Sequence, residues 1–284
     1  MRIAKILSQP SLDQEIILAH ILKCERIDLY KEPQKIITLR QNHCFQKLLK
    51  KYSKGYPMAY LTGHREFMSL DFKVTPAVLI PRPETELLVE TAIKYIGSLT
   101  HNTKRKTQDI FTVMDLGTGS GNIAISIAKH SPVKNICIIA SDISHLALRI
   151  ARLNARCHQV GKYIRFCYGN IFNSKIPLPK MDIIISNPPY VNKNDKSKWQ
   201  NTIRYEPDKA LWAKENGLFY VKRIIAQAPG NLKPGGHLLI EIGYDQSNSL
   251  LKIIKSGNCF ENIKILKDYN RIPRVLCATS KLQR

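Results

Sequence analysis

The sequence predicts an α/β protein: a seven-stranded, mostly parallel sheet with helices on both faces, preceded by a small helical domain and a hairpin linker. Three observations predict it. Beyond residue 109, short runs rich in Ile, Val and Phe alternate with stretches of helical spacing, and that alternation specifies a helix-covered parallel sheet. The first of these runs passes into a glycine-rich turn and then a helix. The first 62 residues instead place apolar side chains at helical spacing.

Taken in order, residues 11–22 put Leu12, Ile16, Ala19 and Ile21-Leu22 near one helical stripe, and residues 35–52 do the same with Ile36, Leu39, Phe45, Leu48 and Leu49. Ser, Gly and Pro between Lys51 and Pro57 break the second helix. A helical domain is therefore expected over 1–62 and an extended or hairpin linker over 63–83, which carries Phe67, Leu70, Phe72, Val74 and Val78-Leu79-Ile80 between prolines. The main domain is expected over 84–284, opening on a helix from Glu84 to Ile96. Its seven strands are expected at Ile110–Leu116, Ile136–Ser141, Tyr163–Tyr168, Met181–Ser186, His237–Ile242, Ile263–Leu266 and Arg274–Thr279. The last two are close enough to form an antiparallel pair. Helices are expected at Asn122–His130, Ser144–Cys157, Gly217–Ala228 and Gln246–Lys255.

Composition narrows the class of function. No apolar run approaches the roughly 18 residues needed to cross a bilayer, and the N-terminus lacks the apolar core of a signal peptide. The seven cysteines are scattered, with no CxxC pair, which points to reduced thiols in the cytoplasm. The eight histidines show neither an HExxH pattern nor metal-ligand spacing, so no metal is expected. Forty-four Lys and Arg against 22 Asp and Glu give a net charge of +22. The excess is spread along the chain rather than gathered in a tail, so it reads chiefly as a solvated surface and names no substrate.

The glycine-rich turn, Asp115-Leu116-Gly117-Thr118-Gly119-Ser120-Gly121, has the spacing G-x-G-x-G. It is not the G-x-G-x-x-G fingerprint of dinucleotide sites. Glycines here let the backbone turn sharply and let a ligand come close. Asp115 can accept hydrogen bonds from an ammonium group, and Asp142, ending the next strand, can accept from both hydroxyls of a ribose. Gly169-Asn170-Ile171-Phe172, after the third strand, offers an amide (Asn170) and an apolar wall (Phe172) for adenine. Ammonium, ribose and adenine without phosphate describe S-adenosyl-L-methionine better than NAD. Asp115, Gly117, Thr118, Gly119, Gly121, Asp142, Asn170, Phe172 and Asn187 are the expected cofactor residues.

After the fourth strand comes Asn187-Pro188-Pro189-Tyr190. Two prolines rigidify the turn and delete two backbone donors, leaving an acceptor-rich corner. The Asn187 side-chain oxygen and the Pro188 carbonyl can accept from a single NH2 group, and Tyr190 offers an aromatic face to a planar substrate. Amide nitrogen is a weak nucleophile because its lone pair is delocalised. Two acceptors orient it and favour the positive charge that develops as it is alkylated. Asn187, Pro188 and Tyr190 are thus the expected catalytic residues, with a planar amide or amino nitrogen as the target. That chemistry fits a protein amide and an adenine N6 equally.

The order G-x-G-x-G, acid, NPPY resembles the class I (Rossmann-like) amino and amide methyltransferases. Phe67-Met68-Ser69-Leu70, the run Val78-Leu79-Ile80-Pro81-Arg82-Pro83-Glu84-Thr85-Glu86 and Arg204-Tyr205-Glu206-Pro207 are similar to segments of the PrmC/HemK family, the release factor glutamine N5-methyltransferases. Asn170 stands where that family usually has Asp, and residues 268–276 lack its glycine before the terminal strand. The resemblance implies methylation of the glutamine in the Gly-Gly-Gln loop of class 1 peptide chain release factors, by a cytoplasmic monomer that forms no stable nucleic-acid complex. It implies that Asn187, Pro188, Pro189 and Tyr190 hold the glutamine, with the Arg82-Pro83-Glu84-Thr85 tract walling the substrate side, and that the helical domain recognises the substrate. Adenine-N6 methylation of DNA or RNA, and glutamine methylation of a ribosomal protein, use the same NPPY.

Overall fold

A computed structural model describes residues 2–8, 10–102, 109–170, 179–192 and 203–281. Two compact units emerge, the described residues of Met1–His64 with Gln200–Tyr205, and those of Arg65–Trp199 with Glu206–Arg284.

The first unit is helical, with α1 (Ile3–Ile6), α2 (Leu12–Leu22), α3 (Asp28–Lys31), α4 (Leu39–Ser53) and α5 (Met58–Thr62). The two longer helices start at capping boxes, Ser11 with Gln14 and Thr38 with Gln41. In each, the hydroxyl and the glutamine satisfy one another's orphan backbone donors. Ile17 and Leu18 of α2, Leu29 of α3, Phe45 of α4 and Leu61 of α5 share one buried cluster. Arg204 and Tyr205 belong to this unit because both bond the Lys54 carbonyl, and the Tyr205 ring lies 4.8 Å from that of Tyr56.

The second unit opens with a hairpin of β1 (His64–Phe67) and β2 (Leu70–Lys73). Its turn residues, Met68 and Ser69, both have positive φ, the geometry of a two-residue turn that matches strand twist. Phe67 and Phe72 are buried in the core of this unit. A short 3-10 turn, Pro83–Thr85, then leads into α6 (Glu86–Asn102).

The strands of the main sheet, separate from that hairpin, are β3 (Phe111–Leu116), β4 (Ile136–Asp142), β5 (Ile164–Tyr168), β6 (Met181–Ser186), β9 (Leu232–Glu241), β10 (Phe260–Lys267) and β11 (Pro273–Ser280). A two-residue pair, β7 (Val191–Asn192) and β8 (Trp212–Ala213), stands apart. The main sheet runs β10-β11-β9-β6-β3-β4-β5, parallel from β9 to β5 and antiparallel at β11 on both sides. The seven expected strands and the antiparallel last pair are therefore all present. Helices α7 (Asn122–His130), α8 (His145–Cys157), α10 (Phe219–Gln227) and α11 (Ser247–Ser256) connect them, with the single turn α9 (Asp208–Leu211) before β8.

Strand pleat divides the core between two faces. Phe111 and Val113 of β3 and Ile183 and Ile185 of β6 join the cluster holding Leu88, Val89 and Ala92 of α6 and Ile123, Ala124, Ile125 and Ile127 of α7. Their neighbours Met114, Leu116 and Ile184 join the opposite cluster, with Val221 and Ile224 of α10 and Leu250 and Ile254 of α11. One expectation differs. Strand β9 begins at Leu232, not His237, because Lys233-Pro234-Gly235-Gly236 is a bulge inside the strand and not a turn before it.

Candidate active site

Sheet order fixes where a ligand binds. From β3 the chain proceeds outward through β4 and β5, then returns to the other side of β3 with β6. The carboxyl ends of β3 and β6 therefore flank the topological switch point, where open α/β sheets bind ligands. The glycine turn leaves β3 there and Asn187 leaves β6 there.

A single cavity gathers half of the expected residues. Gly117, Gly119, Asp142, Asn170, Asn187, Pro188 and Pro189 all line it. Asp142 ends β4 and builds the turn from beneath, since its two carboxylate oxygens accept from Gly119 N at 2.9 Å and Ser144 N at 2.8 Å. Burial raises its pKa, and those backbone donors oppose the rise. The glycine turn offers open space on the ligand side, with no atom within 4 Å of where a Gly117 Cβ would stand.

Other expected residues lie elsewhere. Asp115 does not line the cavity. It is fully buried, accepts from the Thr118 hydroxyl at 2.6 Å, and burial pushes its carboxyl up to about 7. Thr118 is buried with it. Gly121 serves packing, because a Cβ there would stand 2.9 Å from Ile125 Cδ1 and 3.1 Å from Ala151 Cβ. Phe172 falls outside the described residues. Tyr190 turns its hydroxyl away from the cavity and donates to Glu241 at 3.2 Å. Arg82 pairs with the buried Glu206, whose other oxygen accepts from Ile80 N at 3.1 Å, and Glu84 is exposed.

Several residues that shape the site had no individual role in the sequence reading, although Val78, Leu79, Thr85 and Pro207 lie in the segments similar to the family's. Ala77 to Leu79, Pro207 to Ala210 and Tyr220 complete the cavity wall. Thr85 accepts from Asn187 Nδ2 at 3.0 Å. Asn154 of α8 ties the glycine turn to the hairpin, donating to Ser120 O at 2.8 Å and Lys73 O at 3.0 Å. Beyond the NPPY turn, Gln246 donates to the Tyr190 carbonyl at 3.3 Å, and Gly217 packs directly against that carbonyl. Glu206 and Glu241 each carried a further signal, a lone carboxylate set among apolar or proline neighbours.

Comparison with known proteins agrees with this architecture. Release factor glutamine methyltransferase from Koribacter versatilis is 35% identical over 268 residues, covering 94% of this chain and 90% of the relative. The enzyme of that name from Coxiella burnetii is 37% identical over 271 residues, covering 95% and 91%. The chain belongs to the release factor glutamine methyltransferase family. Its family membership extends to both units, for residues 2–63 match the PrmC N-terminal domain and residues 98–211 match the methyltransferase small domain. The chain is accordingly an enzyme, a methyltransferase. The fold reaches further than the family. A methyltransferase from Pyrococcus furiosus superposes with a TM-score of 0.51 at 16% identity, covering 85% of this chain and 99% of that one. The N-terminal domain of human METTL16 in complex with SAH gives 0.53 at 16%, covering 76% and 77%.

Proposed function

We propose that this methyltransferase transfers a methyl group from S-adenosyl-L-methionine to the N5 side-chain amide of the glutamine in the Gly-Gly-Gln motif of class 1 peptide chain release factors. The observation that carries this reading is the shared cavity. The acceptor corner Asn187-Pro188-Pro189 and the glycine turn with Asp142 line the same space, so amide and methyl donor can meet. The similar release factor glutamine methyltransferases suggest the protein substrate.

The residues present fit the cofactor. Gly117 and Gly119 leave room for it, Asp142 retains acceptor capacity for ribose hydroxyls beyond its two backbone bonds, and Asn170 faces the same cavity. Asp115 acts one layer down, bracing Thr118 within the turn. When bound, S-adenosyl-L-methionine supplies a methyl group on a cationic sulfur. The protein's part is to orient the acceptor nitrogen. Asn187 Oδ1 and the Pro188 carbonyl accept its two hydrogens, which localises the lone pair and stabilises the positive charge arising on nitrogen. The methylated nitrogen then loses its extra proton to water, and no dedicated base is needed. The helical unit, expected over 1–62, is assigned to recognition of the release factor in the cytoplasm, by a monomer.

The test supplies methyl-labelled cofactor to the protein with a release factor, the same factor carrying Gln→Ala in its Gly-Gly-Gln loop, a ribosomal protein mixture, and DNA. Label on the unaltered release factor alone is expected. Label on DNA or on ribosomal protein, or undiminished label on the Ala form, overturns the proposal. Asn187→Ala is expected to reduce turnover far more than it weakens cofactor binding.

A further inference from the structure

The sheet holds the entrance of the NPPY turn. Ser186, the last residue of β6, pairs with Leu116 of β3 and Ile240 of β9, and its hydroxyl donates to the Leu116 carbonyl at 2.7 Å. The exit has a different support, a side chain that the transfer chemistry leaves unused. Gln246 is buried at the N-terminus of α11. Its main chain is fixed on both sides, donating to Gly243 O at 3.1 Å and accepting from Leu250 N at 3.0 Å. Its side-chain amide reaches three loops at once. Nε2 donates to the Tyr190 carbonyl at 3.3 Å and to the Asn216 carbonyl at 3.5 Å, while Oε1 accepts from Gly243 N at 2.9 Å.

All three partners are backbone groups, two carbonyls and one N–H, so a single orientation of the amide satisfies them. The space around it is cleared to match. A Cβ at Gly217 would stand 2.6 Å from Nε2, and one at Gly243 would stand 3.1 Å from Cδ. Glutamine is the one neutral side chain of this reach with two donors on one atom and an acceptor on another. What the amide holds is stiff. Pro188 and Pro189 fix φ at successive residues, and Asn187 and Pro188 each precede a proline, which also restricts their ψ. The segment therefore moves nearly as one piece, and a displacement at Tyr190 is carried back to Asn187 and Pro188. We infer that Gln246 is a positioning residue: it latches the exit of the NPPY turn through the Tyr190 carbonyl, so that Asn187 Oδ1 and the Pro188 carbonyl converge on the nitrogen being methylated. The role rests on the function proposed above, while the latch itself belongs to the free protein.

The experiment compares Gln246→Met and Gln246→Glu with the unaltered protein. Methionine keeps the length of the side chain and loses its amide bonds. Glutamate keeps an acceptor for Gly243 N and loses the donor to Tyr190. Each variant is expected to lower kcat about tenfold, the population cost of one buried hydrogen bond. The KM for the release factor and the Kd for the cofactor are expected to stay within twofold of the parent, because the turn is misplaced and the binding walls are not. A readout in the unaltered protein needs neither substrate nor substitution. By NMR, the Gln246 side-chain amide protons should exchange roughly tenfold more slowly than those of the exposed Gln46. Equal exchange at the two glutamines overturns the inference, as does a kcat within twofold of the parent in either variant. So does a loss of cofactor affinity that tracks the loss of kcat. If neither variant folds, Gln246 serves stability and the positioning role is likewise overturned. Failure of the unaltered protein to methylate any release factor would instead overturn the proposed function, and the exchange measurement would still report on the latch.

Discussion

Gly217→Ala should damage the NPPY turn from outside it. Gly217 has φ +83°, and a Cβ there would stand 2.0 Å from the Tyr190 carbonyl oxygen, 2.6 Å from Gln246 Nε2 and 2.9 Å from the Tyr190 carbonyl carbon. Two costs add. The left-handed conformation costs a residue with a Cβ roughly 1–2 kcal/mol. Overpacking a well-filled site costs about 1–3 kcal/mol more, because the nearest atoms are backbone and cannot swing aside. The expected destabilisation is therefore about 2–5 kcal/mol. A 2.0 Å contact is relieved only by a shift of about 1 Å, and misplacement on that scale costs on the order of a hundredfold in turnover. Two controls separate the terms. Gly235 also has positive φ (+75°) but no atom within 4 Å of its missing Cβ, so Gly235→Ala should show the conformational cost alone. Gly161 has neither a positive φ nor a neighbour in reach, and Gly161→Ala should be near neutral. Urea unfolding gives the stabilities and single-turnover methylation gives the rates. If Gly217→Ala proves no less stable than Gly235→Ala and turns over within twofold of the parent, the packing of Gly217 on Tyr190 does not position the motif.

Other outcomes can be checked alongside it. Arg82→Ala should cost about 3 kcal/mol by leaving the Glu206 charge buried and unpaired, since that side chain is only 1% exposed; adding Glu206→Gln should recover part of the loss in a double-mutant cycle. Burial pushes the carboxyls of Asp115 and Glu241 each up to about 7, from ordinary values of 3.8 and 4.5. Between those limits the folded protein keeps protons that the unfolded chain has released, so stability falls as pH rises through this window, by on the order of 3 kcal/mol per group. Unfolding at pH 5 and pH 8 should reveal the fall, and Asp115→Asn should remove its share; a stability that is flat or rising between those pH values would show that the carboxyls titrate normally.

Long-period features were legible in the sequence and isolated contacts were not. The alternation from β3 onward announced the sheet because each strand is a run of apolar residues and each helix has a stripe. β3 and β6 are buried at every position and read as mostly apolar runs because both of their faces are covered. The glycine turn and NPPY were visible because their residue types serve no ordinary packing purpose. By contrast, β7 and β8 have two residues each, too few for any period to appear. Thr85 and Asn154 act through partners 102 and 81 positions away, and one-dimensional spacing carries no trace of such a pairing. Tyr190 shows the same limit in reverse. Its residue type suggested a stacking face, but Glu241 on a neighbouring strand dictates which way its hydroxyl points.

The helical unit described above is not one stretch of chain. Arg204 and Tyr205 hydrogen-bond to Lys54 and count with residues 1–64, yet the chain from Glu206 onward returns to the other unit, and Pro207 to Ala210 wall its cavity. An attempt to prune or exchange the N-terminal helices as a detachable module would therefore strip Arg204 and Tyr205 of their anchors while sparing every residue of NPPY. Loss of activity in such a truncated or chimeric enzyme would report on a cut tether as much as on lost recognition. A graft that carries residues 203–205 along with the helices is the fairer trade.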